Sequence, residues 1–355
     1  MTPRAFRATE LVKELAQKGH NVVFYSVLND YDYSSITNTG VILKNLGKSI
    51  LDVTYNDGNK SIGGSRMYMS VRQLIRTYTE YPAILLMPLV KKAIEQEGEI
   101  DYLITIAMPH PIHWGASYAS LQNVKCWTAD CGDPFMKNPL RKYPFYFKWI
   151  EKRWCCRANY ITVPFEGAKS AYYEEFRDKI HVIPQGFDFS NVILSQYQKN
   201  NIPTFAYAGN ILKKGRNITL FLDYLCTLKY NFKFIVYTRS LSSFDKYVDL
   251  LGEKLILNDF VSRENLLKTL SSMDFLINIK NESDVQKPSK LIDYYLSKRP
   301  ILEIKSNFEE KQYFEEFCNG DYTHKMKGDD ISEYDISNVA DKFIELYDKN
   351  NKEII

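Results

Sequence analysis

Lys287-Pro288-Ser289-Lys290-Leu291-Ile292-Asp293-Tyr294-Tyr295-Leu296-Ser297-Lys298-Arg299-Pro300-Ile301-Leu302-Glu303-Ile304 is the stretch on which the reading of this chain turns. Phe275 to Ile279, just before it, has the pattern of a buried strand, and Lys280 to Gln286 is a polar loop without periodicity. Pro288 suits the first turn of a helix, where its missing N–H would be unpaired anyway, and Leu291, Tyr295 and Leu296 then recur at helical spacing. Strand, loop and helix follow in that order, with Ser289 and Lys290 in the first turn. A helix start exposes N–H groups and carries partial positive charge; Lys290 adds a full charge, so the arrangement suits a bound anion. Asp293, one turn on, can accept hydrogen bonds from a sugar diol. A diphosphate carrying a ribose satisfies both. An ordinary amphipathic crossover helix with a surface lysine fits the same residues, so the rest of the chain has to decide.

Working outward, the half that contains this stretch alternates regularly. Strand Thr204 to Ala208 leads into a loop from Gly209 to Arg216 and a helix from Asn217 to Leu228. Strand Phe232 to Thr238, helix Ser243 to Leu251, strand Lys254 to Asn258, a helix from Arg263 capped by Ser262, and strand Pro300 to Ile304 complete it. The first half has a helix from Thr2 to Lys18 and a strand from Asn21 to Ser26, then an irregular segment, Asn29 to Ser65, with a short strand candidate at Ser49 to Val53. A long helical stretch, Met67 to Glu97, is broken near Pro82 and Pro88. Strands Tyr102 to Ile106, Lys125 to Ala129, Tyr160 to Pro164 and Ile180 to Pro184 follow, with helices to Leu121, from Tyr143 to Arg157 and from Glu166 to Phe176. Strands alternating with helices mean parallel sheets covered on both faces, and two such halves imply an α/β chain of two doubly wound, Rossmann-like domains with a cleft between them. The boundaries are read as 1–188 and 202–355, with the polar segment 189–201 as linker.

The 355 residues suffice for two cores, and 46 Lys+Arg against 43 Asp+Glu is too balanced for a nucleic-acid footprint over the whole chain. The six cysteines show no Cys-x-x-Cys pair and no zinc spacing, which fits a reduced, cytoplasmic protein using them as small core hydrophobes. His110 and His113, three apart, have no third ligand beside them, so no metal site is expected. No run approaches the roughly 18 apolar residues of a membrane span, and no signal-peptide pattern opens the chain.

Pro288-Ser289-Lys290-Leu291-Ile292-Asp293-Tyr294-Tyr295-Leu296-Ser297-Lys298-Arg299-Pro300-Ile301-Leu302 resembles the donor-site helix of the family 4 glycosyltransferases, a retaining, nucleotide-sugar-dependent group with the GT-B fold. Gly209-Asn210-Ile211-Leu212-Lys213-Lys214-Gly215-Arg216 resembles that family's Gly-x-x-x-x-x-Lys-Gly loop, and Pro184-Gln185-Gly186-Phe187-Asp188 its strand-to-linker signature. Arg4 to Val22 is similar to its first helix and second strand. The resemblance implies a donor site of Gly209, Asn210, Lys214, Arg216, Pro288, Ser289, Lys290 and Asp293, with Arg239 at the end of the next strand as a further candidate. Lys214, Arg216 and Lys290 would meet the diphosphate, and Asp293, usually a glutamate in the family, the ribose. His110 would lie by the transferred sugar or the acceptor. Ala129-Asp130-Cys131-Gly132-Asp133-Pro134-Phe135 resembles an aspartate-aspartate-proline segment of many members; Asp130 or Asp133 would meet the acceptor hydroxyl, Asp133 being preferred. No cofactor is implied, since the nucleotide sugar is itself a substrate, and no catalytic metal. The acceptor would be a glycan or a lipid-linked glycan, in cell-surface polysaccharide synthesis.

Two features depart from the family. Its Glu-x7-Glu spacing fails, because eight residues before Asp293 stands Val285, with Glu282 and Asp284 out of register. A strand and tight loop normally precede the first helix, whereas this chain opens at Met1-Thr2-Pro3. Asn21 to Ser26 is therefore expected beside a vacant or substituted strand position, and the natural protein to start roughly 15 to 20 residues earlier, the length of a strand and its loop. The segment 137–157 interleaves Lys137, Arg141, Lys142, Lys148, Lys152, Arg153 and Arg157 with Tyr143, Phe145, Tyr146, Phe147, Trp149 and Trp154. That pattern fits a core helix with a solvated face, docking at the inner face of a membrane, or RNA. A GT-B nucleotide-sugar epimerase and a degenerate partner subunit of another transferase are the alternatives to a transferase.

Overall fold

A computed structural model describes residues 3–47, 66–138, 141–190, 192–211, 217–259, 261–280, 290–328 and 330–354. The strand candidate at Ser49 to Val53 lies outside them. The chain divides into two units, Met1–Asp188 with Glu333–Ile355, and Phe189–Ser332.

In the first unit, α1 (Pro3–Gln17) precedes β1 (Val23–Ser26), α2 (Ser34–Thr37) and β2 (Ile42–Asn45). β2 is a strand inside the segment expected to be irregular. At four residues, with exposed ends, it carries little of the apolar signal that marks a strand. Next come α3 (Arg66–Thr79), α4 (Leu86–Gln96), β3 (Ile100–Ala107), α5 (Pro111–Tyr118), β4 (Val124–Cys131), α6 (Phe147–Arg157), β5 (Tyr160–Val163) and β6 (Ile180–Val182). The long helical stretch does break at Pro82, but Pro88 lies in the first turn of α4, where proline is tolerated. Glu166 to Phe176, expected as one helix, forms two short 3-10 segments instead.

All strand pairs are parallel. β1 pairs with β2, while β3-β4-β5-β6 form a separate four-stranded sheet. Among the described residues no strand joins the two.

The second unit holds β7 (Thr204–Ala208), α7 (Thr219–Thr227), β8 (Lys233–Tyr237), α8 (Asp245–Leu251), β9 (Leu255–Asn258), α9 (Arg263–Leu270), β10 (Phe275–Ile279), α10 (Lys290–Leu296), β11 (Ile301–Ile304) and α11 (Lys311–Cys318). Ser262 caps α9 as its sequence indicates, its hydroxyl accepting from the Asn265 N–H at 3.3 Å. The parallel sheet runs β11-β10-β7-β8-β9 around stacked phenylalanines, Phe205 lying 4.9 Å from Phe275 and 5.0 Å from Phe234. These buried apolar strands are what a sheet covered on both faces requires.

Two boundaries differ from the sequence reading. Residues 333–355, assigned there to the second domain, belong to the first unit: α12 (Ile336–Ile354) buries Ile336, Val339, Ala340, Phe343 and Leu346 with Leu11, Cys126, Tyr160 and Ile183. Gly186 makes that approach feasible, since a Cβ there would stand 2.5 Å from Ile336 Cδ1. The supposed linker 189–201 is laid down on the second unit. Its Tyr197 hydroxyl and Asn200 amide donate to the buried Asp274 carboxylate, at 2.8 and 3.2 Å, and the N–H of Thr204 completes the set at 2.8 Å.

Candidate functional site

The second unit's sheet changes direction between β7 and β10. From β7 the chain steps outward through β8 and β9 on one side, then returns to lay β10 and β11 on the other. Open parallel sheets bind ligands at such a switch point, outside the carboxyl ends of the strands. The two loops singled out in the sequence leave there: Gly209 follows β7 directly, and α10 begins at Lys290 after β10.

Gly209 has φ +145°, a conformation that favours glycine, and its N–H donates to the Tyr237 carbonyl at 2.9 Å. Asn210 beside it is exposed, its carbonyl accepting from the Tyr207 hydroxyl at 3.1 Å. β7 and β10 register at Phe205 and Ala206. At Ala208 the fully buried Tyr294 of α10 takes over. Its hydroxyl accepts from the Ala208 N–H at 2.7 Å and donates to the Ala208 carbonyl at 3.3 Å. One side chain of α10 thus holds the strand end from which the glycine loop departs.

Asp293 lies on α10 next to α9. Its carboxylate accepts from Arg263 Nε at 2.7 Å. Burial pushes its pKa above the usual carboxylate value, with the Arg263 guanidinium opposing. A carboxylate has about four acceptor sites, so the Arg263 contact leaves capacity for a diol. Arg239, two residues past β8, is exposed. Lys214, Arg216, Pro288 and Ser289 lie outside the described residues.

In the first unit His110 and Asp133 follow the carboxyl ends of the adjacent strands β3 and β4, paired at Ala107 and Cys131. His110 is buried at the start of α5 with its ring 4.8 Å from that of Phe135, whereas Asp133 is exposed. Asp130, read alongside Asp133 as an acceptor contact, is committed elsewhere. It is 1% exposed, and the equally buried Arg7 donates to it through Nε at 2.7 Å and Nη2 at 2.8 Å. The Thr162 hydroxyl donates to it as well, at 2.7 Å, and Arg7 also reaches the carbonyls of Ile183 and Pro184. This network ties α1 to β4, β5 and the end of β6.

His113 is structural too. Trp127 Nε1 donates to Thr105 Oγ1 at 2.8 Å, and the Thr105 hydroxyl lies 2.8 Å from His113 Nδ1. If the hydroxyl donates there, the ring proton sits on Nε2, facing Cys131 Sγ at 3.4 Å. Among the described residues no cluster of three His, Cys, Asp or Glu could hold a metal ion. Arg7, Tyr294 and Arg263 were not readable as site-building residues, since each acts through a partner at least 30 positions away. Only the position of Arg7 on the apolar side of α1, beside Ala8 and Leu11, hinted at its burial.

No protein-family model matches the chain, and no curated protein matches it. Solved structures do. A glycosyltransferase from Rickettsia africae is similar over 99% of this chain and 96% of its own, with TM-score 0.61 and 13% identity. Alr3699/HepE of Anabaena, crystallised with UDP, matches 93% of this chain and 100% of its own at TM-score 0.55 and 10% identity. The lipopolysaccharide outer core galactosyltransferase WaaB, in its apo form, matches 98% and 94% at TM-score 0.52 and 12% identity. At such identities the likeness is one of fold, and that fold is the α/β GT-B type, built of two Rossmann-like units.

Proposed function

We propose that this chain is a glycosyltransferase that takes a sugar from a nucleotide-sugar donor, the second unit binding the donor and the first the acceptor. The observation that carries the reading is the switch point of the second sheet, where the glycine loop and α10 leave adjacent strands and Tyr294 fastens one to the other. Likeness to HepE with UDP bound supports a nucleotide donor, as does the resemblance of both segments to family 4 donor motifs.

Departure of the nucleoside diphosphate leaves negative charge on its phosphate oxygens. Lys214, Arg216, Lys290 and the N–H groups at the start of α10 would take up that charge, lowering the barrier more than they stabilise the intact donor. Gly209 lets the backbone approach the phosphates, and Asp293, steadied by Arg263, would accept from the ribose. His110 and Asp133 are the acceptor-side candidates. Retention at the anomeric carbon and independence of a metal are what the family resemblance implies. A lipid-linked glycan is the acceptor class that fits best beside the aromatic and basic segment 137–157.

Incubation with a panel of nucleotide sugars, with and without a cell lipid extract, tests the reading. Release of nucleoside diphosphate from one donor, stimulated by lipid, is the expected result. A folded protein that binds no donor and releases no diphosphate refutes it.

A further inference from the structure

We propose that the outer side of α6 and the C-terminal end of α3 form a docking surface for an anionic lipid bilayer. The proposal deepens the reading above, for it assigns the surface through which a lipid-linked acceptor would be met.

α6 has two dissimilar sides. Phe147, Glu151, Trp154 and Cys155 point into the core, whereas Lys148, Trp149 and Arg153 face outward together with Phe145 just before the helix. Phe145 is 77% exposed and Trp149 71%, their rings 6.4 Å apart. The other three tryptophans, Trp114, Trp127 and Trp154, are all at 1% or less, so Trp149 is alone in meeting solvent. On α3, Leu74, Ile75 and Tyr78 are exposed at helical spacing. The two pieces are tied together: the Tyr146 hydroxyl donates to the Tyr78 carbonyl, and Arg141 Nη2 donates to the Arg76 carbonyl at 3.0 Å.

The charges around these apolar groups are nearly all positive. Lys142, Lys148 and Arg153 are exposed, as is Arg76 on α3. The acids are spoken for. Glu151 is buried, accepting from the Tyr173 hydroxyl at 2.6 Å, and Glu80 is buried against Arg141 at 2.6 Å. Glu175 is exposed but holds Lys152 at 2.7 Å. Exposed Trp, Phe and Tyr among Lys and Arg is the composition that settles at the headgroup level of a bilayer. Protein interfaces are depleted in lysine, and two copies of this face would set like charges together, so charge complementarity favours anionic lipid.

The lone exposed tryptophan supplies the readout. With vesicles of phosphatidylglycerol and phosphatidylcholine, the emission of the full chain should shift to the blue, and the shift should vanish in Trp149→Phe while that variant still sediments with the vesicles. Lys148→Ala/Arg153→Ala should bind about thirtyfold more weakly, since each cation adds to attraction by an anionic surface. Phe145→Ala/Trp149→Ala should lose sedimentation. Circular dichroism and the melting temperature show that these surface variants remain folded. Equal binding to pure phosphatidylcholine, a shift that persists in Trp149→Phe, or a shift that follows protein concentration without vesicles would each overturn the proposal. No donor or turnover enters the assay, so loss of membrane binding and loss of transfer are separate results.

Discussion

Replacing Arg7 by leucine should unfold the first unit far more readily than its position in a polar-looking N-terminal helix implies. Its guanidinium makes two hydrogen bonds to Asp130 and reaches the Ile183 and Pro184 carbonyls, with both ionic side chains at 2% exposure or less. Leucine fills part of the volume but takes the guanidinium away from the buried Asp130 carboxylate, to which the Thr162 hydroxyl also donates. Breaking a buried pair from one side costs about 3–5 kcal/mol, against a stability of roughly 5–15 kcal/mol for a typical domain. The double variant Arg7→Leu/Asp130→Asn removes the stranded charge and should recover about 1 kcal/mol or more. All four tryptophans lie between Trp114 and Trp154, so tryptophan fluorescence during urea unfolding reports this unit selectively. Lys125→Ala, which breaks the exposed pair with Asp101, is the control and should scarcely move the midpoint. A loss below about 1 kcal/mol for Arg7→Leu, or a double variant no better than the single, would refute the network.

Three further outcomes are expected. Tyr294→Phe strips the Ala208 N–H and carbonyl of a buried partner and should cost about 1–3 kcal/mol, with weaker nucleotide binding because the glycine loop loses its anchor; unchanged melting and affinity would contradict this. Burial pushes the His113 pKa down to about 4 from the usual 6.5, so the unfolded chain binds the extra proton first as pH falls. Stability should therefore decline from pH 6.5 towards 4, by up to about 3 kcal/mol, and a folded His113→Gln variant should lack that part of the slope in denaturant titrations at each pH. Turnover should survive EDTA, and activity lost to chelator and restored by magnesium or manganese would overturn the metal-independent mechanism.

The second sheet was legible almost strand for strand, because its strands are short apolar runs bounded by turn residues and its helices carry one apolar stripe each. Periodicity says that a segment is a helix without saying which core it joins. Residues 336–346 illustrate this, for their apolar spacing fits either unit and only the glycine at 186 and the Leu11 cluster draw them to the first. Asp130 and Asp133 looked alike in sequence, three positions apart on one strand end. What separates them is an arginine 123 residues away, which no local pattern records. The glycine after β7 and the start of α10 were legible because loop chemistry is local: a glycine with positive φ and a helix start after a buried strand both show in the order of residues.

The central claim is that the second unit binds a nucleoside diphosphate at the start of α10. Isothermal titration calorimetry of UDP and the other nucleoside diphosphates into the wild-type chain and Lys290→Ala tests it most directly. The expected result is binding of at least one of them, weakened in the variant by about 1.5–3 kcal/mol, the range for hydrogen bonds to charged groups. Undiminished affinity in a folded Lys290→Ala protein, or no binding of any nucleoside diphosphate by the wild type, would contradict it.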